Sequence, residues 1–281
     1  MAVHKRNRQG AGGGEVNLTS PSQVKAWCIA NGFHPNRTLG QNFLIDLNAR
    51  EAMVESVAAG ARVLEIGPGL GVLTEGMLAR GAAVTAVEKD AVLAERLPGA
   101  LGSPDGLAVV AADALDVLAR PAEFGLDLAA FDCLVSSLPY QAGTRILLEL
   151  VQMRLPKSMT VLVQTEVAER LAAKEGGRTR GLAGVWTQLD YDVRIVRRVS
   201  ASCFWPRPEV GSAIVRLDRH DRNAGLPPEV RKTFRWLTKR AFEHRRKQLG
   251  SVFKDVIQST ARAEELSNAE WVELAKGMTE R

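Results

Sequence analysis

The segment Arg62-Val63-Leu64-Glu65-Ile66-Gly67-Pro68-Gly69-Leu70-Gly71-Val72-Leu73 constrains the fold of this 281-residue chain more than any other. Arg62 to Ile66 reads as a buried strand, and Gly71-Val72-Leu73 opens a run with apolar residues at helical spacing. A strand that passes through a glycine-rich turn into a helix is a building unit of open α/β sheets. Glycines let the backbone approach a ligand closely, and the first amides of the helix offer donors at a positive dipole end. The same turn also serves as a plain structural loop, so other features must decide between the two.

Further strands follow at α/β spacing. Ala83-Val84-Thr85-Ala86-Val87 ends in Glu88, 21 residues after Gly67, where an acid commonly grips ribose hydroxyls. Leu107-Ala108-Val109-Val110 is followed by Asp113, placed either to accept from an adenine amine or to cap a helix starting at Ala114. A nicotinamide dehydrogenase would share all of this. The stretch Phe131 to Ser136 then predicts a fourth strand that delivers Ser137-Leu138-Pro139-Tyr140 to the carboxyl edge of the sheet, where ligands bind.

That tetrapeptide suits chemistry on the exocyclic amine of a nucleobase. Such an amine is a poor nucleophile because its lone pair is delocalised into the ring, so a catalyst should accept hydrogen bonds from its protons. The Ser137 side chain and the Leu138 carbonyl supply acceptors, and Pro139 stiffens the turn and biases Leu138 toward an extended conformation. Tyr140 offers a flat face for the base. A Pro-Tyr pair after a strand is otherwise a turn with a half-buried aromatic.

With these residues in view the chain resembles the small-subunit ribosomal RNA adenine dimethyltransferases, from about Thr38 to Gln248. Leu39-Gly40-Gln41-Asn42-Phe43-Leu44 is similar to the family's donor-binding segment and Glu65 to Gly71 to its glycine turn. Gln164 to Leu171 and Phe204-Trp205-Pro206-Arg207-Pro208-Glu209-Val210-Gly211-Ser212 are similar to two further blocks. The resemblance implies an α/β fold, a Rossmann-like methyltransferase sheet with a small C-terminal helical domain, and S-adenosylmethionine as donor. It implies donor contacts at Asn42, Leu44, Gly67, Gly69, Glu88, Asp113 and Ser137, with Ser137, Leu138, Pro139, Tyr140 and Phe204 as the catalytic set. Phe204 is implied to face Tyr140 across a base that has left its stack; read without the family, it is a core residue. The implied acceptors are two adjacent adenosines in a hairpin loop near the 3′ end of small-subunit RNA, each methylated twice by direct displacement, without metal or covalent intermediate. The chain departs from the family at Ser137, where Asn is usual, and in the wording of Lys174 to Gly181. Related methyltransferases acting on amines of DNA bases carry Asp, Asn or Ser at that position.

Composition narrows the class further. Apolar residues make up 46% of the chain, enough for a sizeable core in one or two domains. Cys28, Cys133 and Cys203 are odd in number and form no close pair, which points to a reducing compartment. Without a secretory segment or a run of roughly 18 apolar residues, a cytoplasmic monomer with no membrane partner is expected. His4, His34, His220 and His244 lack ligand spacing, so no metal is expected.

Residues 1–19 read as a flexible, basic, Gly-rich tail and 20–220 as the methyltransferase domain. Ser20-Pro21-Ser22-Gln23 predicts a helix start with a capping box; Val24, Trp27 and Cys28 share one face and Gly32 ends it. A second helix is expected after Asp46, with Met53, Val54 and Val57 inward and Gly60 at its end. After the linker Asp221 to Pro228, residues 221–281 read as a helical RNA-binding domain. Between Arg231 and Gly250 eight Lys or Arg face one acid, Glu243, a local charge of +7 in a chain of net +5. This is the footprint of a phosphate-tracking surface, with Arg207, Lys239, Arg240, Arg245, Arg246 and Lys247 as the expected RNA contacts and the small ribosomal subunit as partner. Two rival classes stay open: an RNA-binding assembly factor that has lost chemistry at Ser137, and an amine methyltransferase for DNA or protein glutamine.

Overall fold

A computed structural model describes residues 17–36, 39–254 and 256–280. The expected tail, except Asn17 to Thr19, lies outside the described residues, as does Thr38. In chain order the elements are α1 (Pro21–Ala30), β1 (Phe43–Leu44), α2 (Leu47–Val54), β2 (Arg62–Ile66), α3 (Val72–Leu78), β3 (Ala83–Glu88), α4 (Ala91–Ala100) and β4 (Leu107–Ala111). These are followed by α5 (Ala114–Ala119), β5 (Cys133–Ser137), α6 (Gly143–Met153), β6 (Ser158–Gln164), α7 (Thr165–Ala172), α8 (Leu182–Gln188) and β7 (Tyr191–Val199). The chain continues through β8 (Phe204–Trp205), β9 (Ser212–Arg219), α9 (Pro228–Glu243), α10 (Leu249–Val252) and α11 (Asn268–Thr279).

Seven strands form one sheet in the order β4-β3-β2-β5-β6-β9-β7, parallel from β4 to β6 and antiparallel at β9 and β7. Its central strands are apolar runs because helices cover both faces. On one face Val63, Val84, Val135, Leu162 and Ile214 pack against α1, α2 and α3. On the other, Leu64, Leu134, Val161, Val163 and Val215 pack under α5, α6 and α7. Strand order reverses between β2 and β5, so the loops after these two strands open into a common crevice.

Local signals acted as the sequence predicts in several places. Asp46 caps α2 by accepting from the Ala49 amide at 2.7 Å, and Met53, Val54 and Val57 are buried. The box at Ser20 does not form: the Ser20 side chain makes no capping bond, and the Gln23 Oε1 instead accepts from the Asn17 amide at 2.9 Å. Pro21 and the turn at Gly32 still bound the helix, with Gly32 at φ +60°.

The helical C-terminal part has its own core of Phe234, Leu237, Ala241, Leu249 and Trp271. This core also takes in Val185 and Leu189, from the other side of the boundary expected at 220. Buried Asp190 locks the seam, accepting from Arg231 at 2.8 and 3.0 Å and pairing with Arg154 at 3.3 Å. Buried Arg180, within the divergent segment, donates to the carbonyls of Ala173 and Leu266 and to Asn268 Oδ1. The Lys174 to Gly181 segment is thus stitched to the C-terminal part.

Candidate active site

The glycine turn and the Ser137-Leu138-Pro139-Tyr140 segment lie side by side at the strand-order reversal. Parallel pairing sets Val63 beside Cys133 and Leu64 beside Leu134, and the Ser136 hydroxyl donates to the Ile66 carbonyl at 2.6 Å. A Cβ on Gly67 would stand 3.5 Å from the Pro139 ring. A cleft of about 1220 Å³, open solvent at its mouth included, is lined by both segments together with Asn42, Leu44, Glu88 and Asp113. The expected donor-binding residues are therefore brought to one crevice, at the positive end of α3.

Gly69 shows why the turn needs glycine. Its φ is +59°, and a Cβ there would meet the Phe43 ring at 3.0 Å. Its amide donates to Glu88 Oε2 at 3.0 Å, while the Asp90 amide donates to Glu88 Oε1 at 2.9 Å. Burial raises the Glu88 carboxyl above its ordinary value despite these amides. Of the two roles open in the sequence Asp113 takes the cap of α5, accepting from the Leu115 amide at 2.9 Å, and it also lines the cleft. Its other oxygen pairs with Lys89 at 2.8 Å, and that bond, first among the causes, lowers the Asp113 carboxyl.

Three cleft residues were not singled out from the sequence. Glu65 is fully buried, accepts from the Thr74 hydroxyl at 2.6 Å, and is pushed up to about 8 by burial, with Glu88 adding repulsion. A carboxylate in an otherwise apolar parallel strand is the signal that could have marked it. Lys89 carries only the signal of adjacency to Glu88. Leu18 lines the cleft from before α1, and nothing in its local sequence announces this.

The Ser137 to Tyr140 segment is clamped at several points. The Leu138 amide donates to the Leu162 carbonyl at 3.1 Å, the Gly143 amide to the Pro139 carbonyl at 2.6 Å, and the Tyr140 hydroxyl bonds the Ser212 hydroxyl at 2.6 Å. Phe204 comes to Tyr140 as the resemblance implies, but the rings meet edge-on, with centroids 6.5 Å apart and planes at 65°. Phe204 is 3% exposed and belongs to the core, so the two rings touch rather than frame a gap. Its position comes from an antiparallel pairing of β8 with β1, Leu44 opposite Phe204 and Phe43 opposite Trp205.

The basic C-terminal surface is smaller than its charge count. Arg231 is spent on Asp190, Arg235 lies 5.4 Å over the Trp186 ring, and Arg245 pairs with Glu264 at 3.5 Å while donating to the Arg178 carbonyl at 2.7 Å. Lys239, Arg246 and Lys247 are exposed, as is Arg207, and Arg240 pairs loosely with Glu243 at 3.4 Å. A second set of cations, Arg194, Arg197 and Arg198, is exposed on edge strand β7, where Arg198 pairs with Glu169 at 2.8 Å. Register places Arg198 beside Ala213, next to the Ser212 that holds Tyr140. Among the described residues no helix is long and apolar enough to cross a membrane.

Comparison with known proteins agrees with this geometry. The family described as ribosomal RNA adenine dimethylase matches residues 32–278. The ribosomal RNA small subunit methyltransferase A of Leifsonia xyli subsp. xyli is 38% identical, covering 93% of this chain and 99% of that protein. The protein of the same name from Deinococcus radiodurans is 40% identical over 83% of this chain and 76% of its own. Among solved structures, a dimethyladenosine transferase from Plasmodium falciparum aligns with a TM-score of 0.72 at 20% identity, covering 84% of this chain and 97% of that one. The 23S rRNA methyltransferase ErmE aligns at 0.66 and 23%, covering 84% and 98%; both likenesses speak to the fold alone. The matched span and the level of identity over most of the chain's length place this protein in the ribosomal RNA adenine dimethylase family.

Proposed function

We propose that this chain dimethylates the exocyclic amines of two adjacent adenosines in a hairpin loop near the 3′ end of small-subunit ribosomal RNA, acting as a cytoplasmic monomer during subunit maturation. The observation that carries the reading is the adjacency of the glycine turn and the Ser137 to Tyr140 segment, Gly67 beside Pro139 in one cleft at the strand-order reversal, in a chain of this family.

The cleft fits S-adenosylmethionine: two buried acids, Glu65 and Glu88, line it, and a side chain on its glycine turn at Gly69 would crowd the Phe43 ring. When bound, this group supplies a methyl on a positively charged sulfur. Glu88 and Asp113 are the residues for its ribose and adenine, with Asn42, Leu44, Gly67 and Gly69 around them and Lys89 sharing Asp113. Ser137 and the Leu138 carbonyl accept from the target amine, and their clamped backbone holds the acceptors in place before the base arrives. Tyr140 supports the base by its face. Phe204 joins it only when the edge-on pair parts, so base entry is coupled to movement of the β1–β8 ribbon. Exclusion of water and positioning supply most of the rate, and the amine sheds its proton after methylation has made it acidic.

The test is labelled-methyl transfer to small ribosomal subunits lacking the modification, comparing this protein with Ser137→Asn. Incorporation at two adjacent adenosines by the unaltered protein supports the proposal and shows that Ser serves in place of Asn. Incorporation by the variant alone overturns it in favour of a binding factor.

A further inference from the structure

Helix α9 buries Val230, Phe234, Leu237 and Ala241 in the C-terminal core and turns Trp236 outward. Trp236 is 54% exposed and is the only exposed Phe, Tyr or Trp among the described residues. One side of the indole meets the ring of Phe253, with centroids 5.7 Å apart and planes at 55°, which fixes its orientation without covering it. Lys232, Lys239 and Arg240 stand four residues before and three and four after it, on the same helix face. Among the described residues neither Lys232 nor Lys239 pairs with a carboxylate.

The indole alone would suit a protein partner, but unpaired lysines around it weigh against one, since the centres of such interfaces are rich in Trp and Arg and depleted in lysine. It suits single-stranded nucleic acid, in which every base presents a π-face and the adjoining phosphates need cations. We infer that Trp236 is a stacking platform for an unpaired base of the RNA, with Lys232, Lys239 and Arg240 holding the flanking phosphates. This anchor lies outside the residues that line the donor cleft, and it rests on the reading of the chain as an rRNA methyltransferase.

The test uses the full-length protein with small ribosomal subunits and with the protein-free RNA of those subunits, reading affinity against salt and, separately, methyl transfer by the unaltered protein. Trp236→Ala is expected to weaken binding to both roughly five- to hundredfold while leaving the slope of log K against log salt unchanged. Trp236→Phe, which keeps a ring against Phe253, restores most of the affinity. Lys239→Gln lowers that slope by about one. Equal affinity of Trp236→Ala and the unaltered protein overturns the inference, and so does equal loss in the Phe and Ala variants. Loss on subunits but not on free RNA also overturns it, assigning the indole to a ribosomal protein. Failure of the unaltered protein to methylate subunits counts against the functional reading itself, because the RNA-binding comparison is read without chemistry.

Discussion

The two halves of the cleft share one sheet edge yet are held in different ways. On the donor side, the polar groups are committed to neighbours within one continuous span: Gly69 and Asp90 amides on Glu88, Thr74 on Glu65, Lys89 on Asp113. On the Ser137 to Tyr140 side one clamp is local, the Gly143 amide on the Pro139 carbonyl, but the contacts that place the aromatic rings join distant segments, Tyr140 with Ser212 and β1 with β8. On the proposed function, the donor half is a cradle already hydrogen-bonded, whereas the other half holds a closed aromatic contact that an entering base would have to part. Catalysis and donor binding should therefore separate when residues of one half are changed.

The largest separation is expected at Tyr140→Ala. Loss of the stacking face should lower methyl transfer on the order of a hundredfold, with donor affinity nearly unchanged. Single-turnover rates and donor titration on the same preparation measure both; a parallel loss of the two would erase the division between the halves. Gly69→Ala is the converse. It strains a backbone at φ +59° and crowds Phe43, so donor affinity should weaken roughly tenfold. Since Phe43 pairs with Trp205, a small effect on acceptor binding should accompany it.

Ser212→Ala offers a finer cut. It removes only the hydrogen bond at the Tyr140 hydroxyl, and turnover should fall roughly fivefold, the usual worth of one such bond, with donor affinity intact. Serine at this position is predicted to matter through Tyr140 alone, so in a Tyr140→Phe background the same change should cost nothing further. A full additional loss there would show that Ser212 acts elsewhere.

This contrast also explains what could be read from the chain. The donor half is legible because its parts are local: strand, glycine turn and helix follow one another from Arg62, Glu88 ends the next strand, and Asp113 follows the one after by two residues. The pairing of β1 with β8 is not, since two-residue strands carry no periodicity and their partners are about 160 residues apart. The resemblance brought Phe204 to Tyr140, but only the packing shows the rings edge-on. Charge counting from Arg231 to Gly250 overstated the basic surface because Asp190, Trp186 and Glu264, all remote in sequence, take up three of the eight cations. The boundary at 220 followed the linker composition, whereas apolar contact draws Val185 and Leu189 into the C-terminal core.

Glu65 tests whether the donor cradle is poised for a cation. In the fold its carboxyl is pushed from the ordinary 4.5 up to about 8 by burial, against the hydrogen bond from Thr74 and with repulsion from Glu88. The folded state thus binds a proton that the unfolded chain has given up. Stability from this group is complete below pH 4.5 and is lost as pH rises through about 8. A positively charged donor in the cleft favours the ionised form, so binding releases this proton and donor affinity should rise roughly threefold between about pH 7.5 and 8.5. Glu65→Gln, neutral at every pH, should abolish that rise and flatten the fall in thermal stability across the same acid-to-neutral window. If the variant keeps the affinity slope while its stability profile flattens, Glu65 is a buried carboxyl that shapes the fold, and the donor's charge is met by Glu88 instead.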